Sequence, residues 1–185
     1  MNKAIKENIS ALVVRGRAVV AVDGNCASGK TTLANEIQLA FGGTVIHADS
    51  FFLPPFMRSD DRLSEPGGNF HYERFRSEVI DNLKSDMPFT YGVFDCRSGE
   101  ITDIVTVDEQ KLIIIEGSYC MHPKLSADYD LRIFCCTDLQ TQLERIEKRN
   151  GNNALETFKN KWIPFENRYF DFFGIAETCQ IILHT

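Results

Sequence analysis

The sequence predicts an α/β fold in which five parallel strands form one sheet with helices on both faces. Short apolar runs alternate along the chain with segments whose apolar residues recur at helical spacing. The length of 185 residues and a composition of 43% hydrophobic and 25% charged side chains suit one globular domain over residues 1–185. The five apolar runs cover residues 18–22, 44–48, 111–117, 131–136 and 179–183.

The segments between these runs predict the helices. Ile5, Ile9, Leu12 and Val13 are spaced as one face of an amphipathic helix that ends near Gly16 and packs against the sheet. Further helices are predicted over residues 32–41, 72–83, 139–146 and 154–173, the last broken near Pro164.

Two segments fit neither pattern. Residues 54–71 are rich in proline and glycine and predict an exposed, mobile surface loop. Residues 88–107 alternate weakly around the turn at residues 97–100 and predict a hairpin that projects from the main sheet.

Charge and cysteine content narrow the class of protein. The formal net charge of −6 argues against a sequence-independent nucleic-acid binder, and no run approaches the ~20 apolar residues of a membrane span. The six cysteines are scattered without a C-x-x-C pair, and Cys135 and Cys136 are adjacent inside a predicted strand. We therefore expect a reduced, cytoplasmic protein with no nucleic-acid or membrane partner.

A phosphate-binding motif lies between the first strand and the helix that follows it. Residues 24–31 match G-x-x-x-x-G-K-[ST], whose backbone N–H groups converge on phosphate oxygens at a helix N-terminus. Lys30 supplies a mobile charge for the β- and γ-phosphates, and Thr31 supplies a hydroxyl for Mg²⁺. The alternative is a glycine-rich turn without a ligand. A dinucleotide fingerprint is excluded because its second glycine falls on Cys26. The predicted nucleotide-binding residues are Gly24, Asn25, Cys26, Ala27, Ser28, Gly29, Lys30, Thr31 and Thr32.

Two acidic residues end predicted strands and are expected at the same edge of the sheet. Glu116 closes a buried strand, where a carboxylate can hold Mg²⁺ directly or through water. Asp49 follows the second strand and is a candidate to accept the proton of an attacking hydroxyl. The alternatives are a strand-end cap for Glu116 and, for Asp49, an Asx-turn or a helix N-cap at the end of the second strand. No Asn-Lys-x-Asp tetrapeptide is present, which argues against a regulatory GTPase.

Together these segments resemble the uridine kinase-like family of P-loop kinases. The match covers nearly the whole chain in the family's order, and its specific parts are the phosphate loop and the segment around Asp49. The resemblance implies a P-loop NTPase three-layer sandwich with a small hairpin projecting over the acceptor site. It also implies ATP and Mg²⁺, with Asp49 as the catalytic base and Lys30 and Thr31 as the phosphate and Mg²⁺ contacts. The matching segments are residues 24–34, 47–52, 69–70, 115–117, 145–146 and 176–182.

The departures from the family concern the acceptor. Where uridine kinases commonly have an aspartate that holds the ribose hydroxyls, this sequence has His71. In the hairpin, Tyr91 and Arg97 match residues of the family. Near the place of the family's base-reading histidine, however, this sequence has Asp95 and Cys96. A site that reads one base loses discrimination when those groups change, so uridine itself is not the expected acceptor. Substrate contacts are predicted at Asp49, His71, Tyr91 and Arg97.

A lid is expected at about residues 145–155. Arg145 and Arg149 resemble the lid arginines that neutralise the transferring phosphoryl group, although Arg149 also fits a solvated helix face. The loop at residues 150–153 is shorter than the family's lid, so Arg58, Arg62 or Arg168 are candidates to compensate. The aromatic residues at helical spacing nearby are interpreted as core: Trp162, Phe165, Tyr169, Phe170, Phe172 and Phe173.

The sequence therefore predicts an ATP- and Mg²⁺-dependent kinase that phosphorylates a hydroxyl of a nucleoside or related metabolite. Its catalytic residues are expected to be Asp49, Lys30 and Arg145, with Thr31 and Glu116 as metal ligands. One alternative is a phosphorylated or non-nucleoside acceptor, and another is a nucleotide-dependent switch that hydrolyses ATP slowly. The sequence does not determine the oligomeric state, and a homo-oligomer is one of the options. A phosphate-bearing acceptor would use converging arginines, for which the candidates are Arg58, Arg62, Arg74 and Arg76.

Overall fold

The computed structural model of the protein describes residues 1–85, 87–108 and 111–185 and has the predicted α/β architecture. Five parallel strands form one sheet in the order β2-β5-β1-β6-β7, and two further strands, β3 and β4, form a separate antiparallel pair. The strands are β1 Ala18–Gly24, β2 Thr44–His47, β3 Phe89–Asp95, β4 Glu100–Val107, β5 Leu112–Glu116, β6 Leu131–Cys136 and β7 Ile181–His184.

Helices cover both faces of the parallel sheet. Every residue of β1 and β5 is buried, which explains why these strands read as continuous apolar runs. On one face α1 and α2 pack their apolar sides, and on the other the hairpin and the later helices enclose a larger aromatic core. The helices are α1 Lys3–Arg15, α2 Lys30–Phe41, α3 Asp60–Ser64, α4 Tyr72–Phe75, α5 Leu139–Asn150, α6 Asn152–Thr157 and α7 Ile163–Phe173.

The N-terminal helix forms as predicted. The Asn2 side chain caps α1 by accepting a hydrogen bond from the Ala4 N–H, and the helix stops at Gly16, whose φ is +137°. Ile5 and Ile9 are fully buried against the sheet. The predicted start of α5 is also confirmed, because Asp138 accepts from the Thr141 N–H at its N-terminus.

Two predicted helices contain a π-helical turn. α4 continues into such a turn at Arg76–Ile80, and another, Phe158–Trp162, joins α6 to α7. Pro164 accounts for the second, because a residue without an N–H cannot donate to the carbonyl four residues earlier and the preceding turn widens. The sequence predicts a break near Pro164, but the chain stays helical there: the irregularity is the π-helical turn that precedes the proline and leads directly into α7.

The expectation that residues 54–71 form an exposed loop is wrong for much of the segment. The segment contains α3, and residues 67–70 are buried. The cause is Arg62, whose guanidinium donates to the carbonyls of Gly68 and Phe70, pairs with Glu73 at 2.7 Å, and lies 3.9 Å from the centre of the Tyr72 ring. These contacts fold the proline- and glycine-rich stretch onto the body of the protein.

The hairpin is antiparallel, as predicted. Its ladder pairs Phe89 with Val107 and shifts register between Val93 and Phe94, as at a β-bulge, which twists the tip. Tyr91 and Phe94 are buried against the rest of the protein. All six cysteines are free thiols, and no helix within the described ranges is long and apolar enough to cross a bilayer.

A buried carboxylate at the end of β1 ties three distant parts of the chain together. Asp23 accepts hydrogen bonds from the backbone N–H groups of Gly24 at 2.7 Å, Tyr119 at 3.2 Å and Met121 at 3.1 Å, and from the Tyr169 hydroxyl at 2.9 Å. Burial raises its pKa to about 6, against the opposing effect of these donors and of Lys30. Asp23 thus joins β1, the loop after β5 and α7.

Replacing Asp23 by Asn should lower the free energy of unfolding by about 2 kcal/mol or more, because a carboxamide cannot accept from all four donors. Urea unfolding of the variant measures the loss. Asp171→Asn, an equal change of charge at an exposed position of α7, is the control and should unfold like the wild type. Equal stability of both variants would contradict the assignment.

Candidate active site

One cleft of about 900 Å³ lies at the carboxyl ends of β1, β2 and β5. This edge of an open α/β sheet is the usual place for a ligand. The polar, charged and aromatic side chains that border the cleft include Lys30, Thr31, Asp49, Arg58, Asn69, Cys96, Glu116, Ser118, Arg145, Arg149, Phe158, Lys161, Trp162 and Glu166.

The phosphate loop connects β1 to α2, as its sequence predicts. Gly24 has a φ of +140°, and a Cβ there would stand 1.9 Å from the Cys135 carbonyl oxygen, so only glycine fits beside β6. The loop then turns through Ala27 at φ +59° and leads into α2. The Lys30 ammonium lies inside the curl and donates to the carbonyls of Gly24 at 2.8 Å and Asn25 at 2.7 Å.

Glu116 connects the phosphate loop to β2. Its Oε2 accepts from the Thr31 hydroxyl at 3.1 Å, and its Oε1 lies 2.5 Å from His47 Nδ1. The hydrogen bond to Glu116 raises the pKa of His47. Adjacent hydroxyl and carboxylate oxygens at a phosphate loop are the donors that Mg²⁺ prefers, so the two residues predicted as metal ligands lie together and fit that ion. Within the described ranges, no group of three or more His, Cys, Asp or Glu side chains is arranged to bind a metal without other ligands.

Asp49 follows β2 on a short helical turn, Ala48–Phe51, with its side chain open to the cleft. The enclosing walls raise the pKa of Asp49, and the charges of Glu116 and Glu166 add to this while Lys30 opposes it. Gly117 permits the approach, because a Cβ at this residue, whose φ is +132°, would stand 2.9 Å from the Ala48 Cβ and 3.4 Å from Asp49 Oδ1. Asp49, Lys30 and Glu116 therefore face one volume.

Three residues predicted to contact substrate do not border the cleft among the residues described. His71 caps α4 by accepting from the Arg74 N–H at 3.3 Å and lies 3.2 Å from Glu73. Tyr91 is buried against Phe51, at a ring distance of 5.4 Å. Arg97 is exposed in the turn of the hairpin, and it is Cys96 that reaches the cleft.

The arginines divide into two groups. Arg145, Arg149 and Arg58 border the cleft, and Arg145 donates to the Ala27 carbonyl of the phosphate loop at 3.1 Å and to the Thr185 hydroxyl at 3.0 Å. The remaining candidates are held by protein groups: Arg62 by Glu73, Arg74 by the carbonyls of Ser50 and Gly92, Arg76 by Asp81, and Arg168 by the carbonyls of Leu63 and Glu65.

Glu166 is a buried site residue that sequence reasoning missed. From α7 it accepts hydrogen bonds from the Cys26 N–H at 2.8 Å and from the Ser118 hydroxyl at 2.7 Å. It thereby fixes the phosphate loop to the loop after β5. The only local signal was a charged residue within an otherwise apolar helical face, which does not reveal a partner 140 residues away.

The interpretation of the aromatic residues as core is correct for Tyr169 and Phe170 and wrong for Trp162 and Phe172. Tyr169 and Phe170 are buried, whereas Phe172 is 69% exposed. Trp162 borders the cleft, and Lys161 Nζ lies 4.7 Å from its ring centre. The π-helical turn before Pro164 shifts the helical phase, which explains why simple periodicity misplaced Trp162.

No protein-family model matches the sequence. The chain is 26% identical over 166 residues to uridine-cytidine kinase B of Dictyostelium discoideum, an alignment that covers 83% of this chain and 68% of that protein. It is 30% identical over 185 residues to uridine kinase-like protein 4 of Arabidopsis thaliana, covering 92% of this chain. The chain spans only 39% of the length of this plant relative.

Two solved structures are similar to this fold over nearly their whole length. A possible uridine kinase from Bacillus stearothermophilus superposes with a TM-score of 0.67 at 19% identity, covering 97% of this chain and 99% of that one. D-glycerate 3-kinase from Cryptococcus neoformans gives 0.66 at 16% identity, covering 98% and 94%. At these identities the similarity shows the α/β architecture alone.

Replacing Glu166 by Ala should lower the free energy of unfolding by about 2–3 kcal/mol, since the Cys26 N–H and the Ser118 hydroxyl lose their buried acceptor. Thermal and urea unfolding measure the change. Asn167→Ala, at the neighbouring exposed position of α7, should cost much less. A Glu166 variant as stable as this control would show that the link between α7 and the phosphate loop contributes nothing.

Proposed function

Because the chain is uridine kinase-like in sequence and shares its fold with solved kinases, we propose that it transfers the γ-phosphoryl group of ATP to a hydroxyl of a small molecule. One observation carries the proposal: the Asp49 carboxylate and the phosphate loop with Lys30 face the same cleft. A phosphate-holding loop opposite a carboxylate is what in-line transfer to a hydroxyl requires.

The phosphate loop would hold the donor nucleotide. The loop leads into the N-terminus of α2, where backbone N–H groups and the helix dipole favour an anion, and Lys30 can exchange its bonds to the Gly24 and Asn25 carbonyls for phosphate oxygens. Arg145, fixed beside the loop through the Ala27 carbonyl, adds positive charge near the phosphates. ATP is the proposed donor, although another nucleoside triphosphate would fit the same loop.

Thr31 and Glu116 would hold Mg²⁺ at the edge of the phosphate loop. When bound, that ion neutralises charge on the phosphate oxygens. The contribution of the chain itself is to keep the two oxygen ligands in contact, with His47 steadying the far oxygen of Glu116.

Asp49 would orient the acceptor hydroxyl and accept its proton. A raised pKa makes this carboxylate a better base than a solvated aspartate, while the neighbouring Lys30 favours its ionised form. The turn after β2 and the absence of a side chain at Gly117 fix its position, so little reorganisation is needed when the acceptor binds.

The other class of function, a nucleotide-dependent switch, differs in one measurable respect. A kinase consumes little ATP until its acceptor is added, whereas a slow hydrolase consumes ATP at the same rate without one. The open cleft with a carboxylate beyond the phosphate loop favours the kinase.

All six cysteines are free thiols, which suits a reducing compartment, so we propose that the protein is cytoplasmic.

Replacing Asp49 by Asn should lower the acceptor-dependent rate of ADP release about 100- to 10,000-fold, because the general base is lost. Calorimetry should find the Kd of Mg-ATP nearly unchanged, since the phosphate loop is intact. Asp61→Asn, an exposed position on α3, is the control of equal charge. Full turnover in the Asp49 variant would remove this residue from the proposed role.

Replacing Lys30 by Met should weaken Mg-ATP binding about 10- to 100-fold, because the ammonium's charge-assisted bonds to phosphate are lost. Calorimetric titration measures the effect. Lys148→Met, an exposed position on α5, controls for the loss of one positive charge. If both variants bind nucleotide like the wild type, the loop is not a nucleotide site.

A further inference from the structure

The wall of the cleft beyond Asp49 contains an arginine without an ionic partner. Among the residues that the structure describes, Arg58 forms no ion pair, whereas Arg62, Arg74 and Arg76 of the same region each pair with a carboxylate. Arg58 Nε donates to the Leu53 carbonyl at 2.7 Å, which anchors the guanidinium and engages one of its five N–H donors. The rest of the group is available to a ligand in the cleft.

Within the described ranges, the side chains around Arg58 leave its positive charge without a neutralising partner. Cys96 borders the same corner, and its pKa is raised by burial and by Asp49 and lowered by Arg58, so the three side chains act on one another. A protonated thiol does not neutralise a guanidinium. Lys30 and Arg145 also border the cleft, but they lie at the phosphate loop and are assigned above to the nucleotide, so a second anionic ligand needs a further cation, which Arg58 supplies.

A second, independent observation points to a ligand in this part of the cleft. Asn69 is only 6% exposed and borders the cleft; its buried Nδ2 makes no hydrogen bond of normal geometry to the described residues, although it lies close enough to the Tyr119 hydroxyl to interact with it weakly. A buried amide without a partner is unfavourable for folding, and such groups persist mainly where a ligand or water completes them. Asn69 lies beside the Tyr119 hydroxyl, in the segment that Arg62 folds inward.

We infer that Arg58 and Asn69 recognise the acceptor, and that the acceptor is a small hydroxylated molecule carrying a carboxylate or phosphate group. Arg58 binds the anionic group and Asn69 Nδ2 donates to an oxygen of the same molecule. This inference rests on the proposed kinase function and narrows its substrate class away from neutral nucleosides. In the reaction the acceptor oxygen bonds to the γ-phosphorus as the bond to the β–γ bridging oxygen breaks. The hydroxyl proton passes to Asp49, and ADP leaves.

The test compares acceptors that differ only in the anionic group. Suitable pairs are glycerol with glycerate and ribose with ribose 5-phosphate, and uridine represents neutral nucleosides. Initial rates of ADP release give kcat/KM for each, and thermal stabilisation in the presence of a non-hydrolysable ATP analogue gives binding. The wild type should prefer the charged member of at least one pair about tenfold or more, a difference expected from one charge-assisted contact.

The variant Arg58→Gln should reduce that preference to near unity by raising KM, while kcat and the Kd of ATP change less than about twofold. Arg58→Lys, which keeps the charge, should retain part of the preference. Asn69→Ala should raise KM for the charged and the neutral member alike, because it removes a hydrogen bond and not a charge. Arg76→Gln, an exposed position outside the cleft lining, is the matched control and should behave as the wild type.

Equal use of charged and neutral members, binding of neither charged member, or a loss of ATP binding in Arg58→Gln as large as the loss of acceptor use would each overturn the inference. These outcomes differ from a failure of the proposed function. In that case the wild type would not bind Mg-ATP, or ADP release would not depend on any acceptor or on Asp49.

Discussion

The site depends on the hydrogen-bonded register of three parallel strands. In the ladder between β1 and β5, Val22 pairs with Glu116, and in the ladder between β2 and β5, His47 pairs with Glu116. Because parallel strands end at the same edge, this register brings the phosphate loop, the Glu116 carboxylate and the turn with Asp49 together. A shift by one residue would turn Glu116 to the opposite face of the sheet and separate it from Thr31.

Two buried acids extend this arrangement to the C-terminal helix. Asp23 receives the Tyr169 hydroxyl and two N–H groups of the loop after β5, and Glu166 receives the Cys26 N–H and the Ser118 hydroxyl. Both contacts involve α7, which is continuous through a π-helical turn with the segment that carries Trp162 over the cleft. At Asp23 the hydrogen bonds offset only part of the cost of burying a carboxylate, since burial still raises the pKa of this group.

The segment between Asp49 and α4 shows where sequence reasoning reached its limit. Proline and glycine content predicts a surface loop, and nothing local reveals that Arg62 would fold residues 67–70 inward. The same contact pairs Arg62 with Glu73 outside the cleft, whereas Arg58 borders the cleft and is not paired with a carboxylate among the residues described. Four arginines that look equivalent in the sequence therefore have different roles in the structure. Trp162 was misplaced for a related reason, since periodicity assumes a regular helix.

By itself the sequence determined the order and nature of the main elements, the phosphate loop and the two strand-end acids. These are local properties: apolar runs, glycines where the backbone must turn, and carboxylates directly after strands. Only the tertiary structure decided which distant side chains complete the cleft. Glu166, Asn69 and Arg58 border the cleft because segments that are distant from the phosphate loop in sequence pack beside it, and such packing leaves no periodic trace. The physical reason is that hydrophobic patterning specifies which face of an element is buried, whereas the partner of a buried charge depends on how the elements pack.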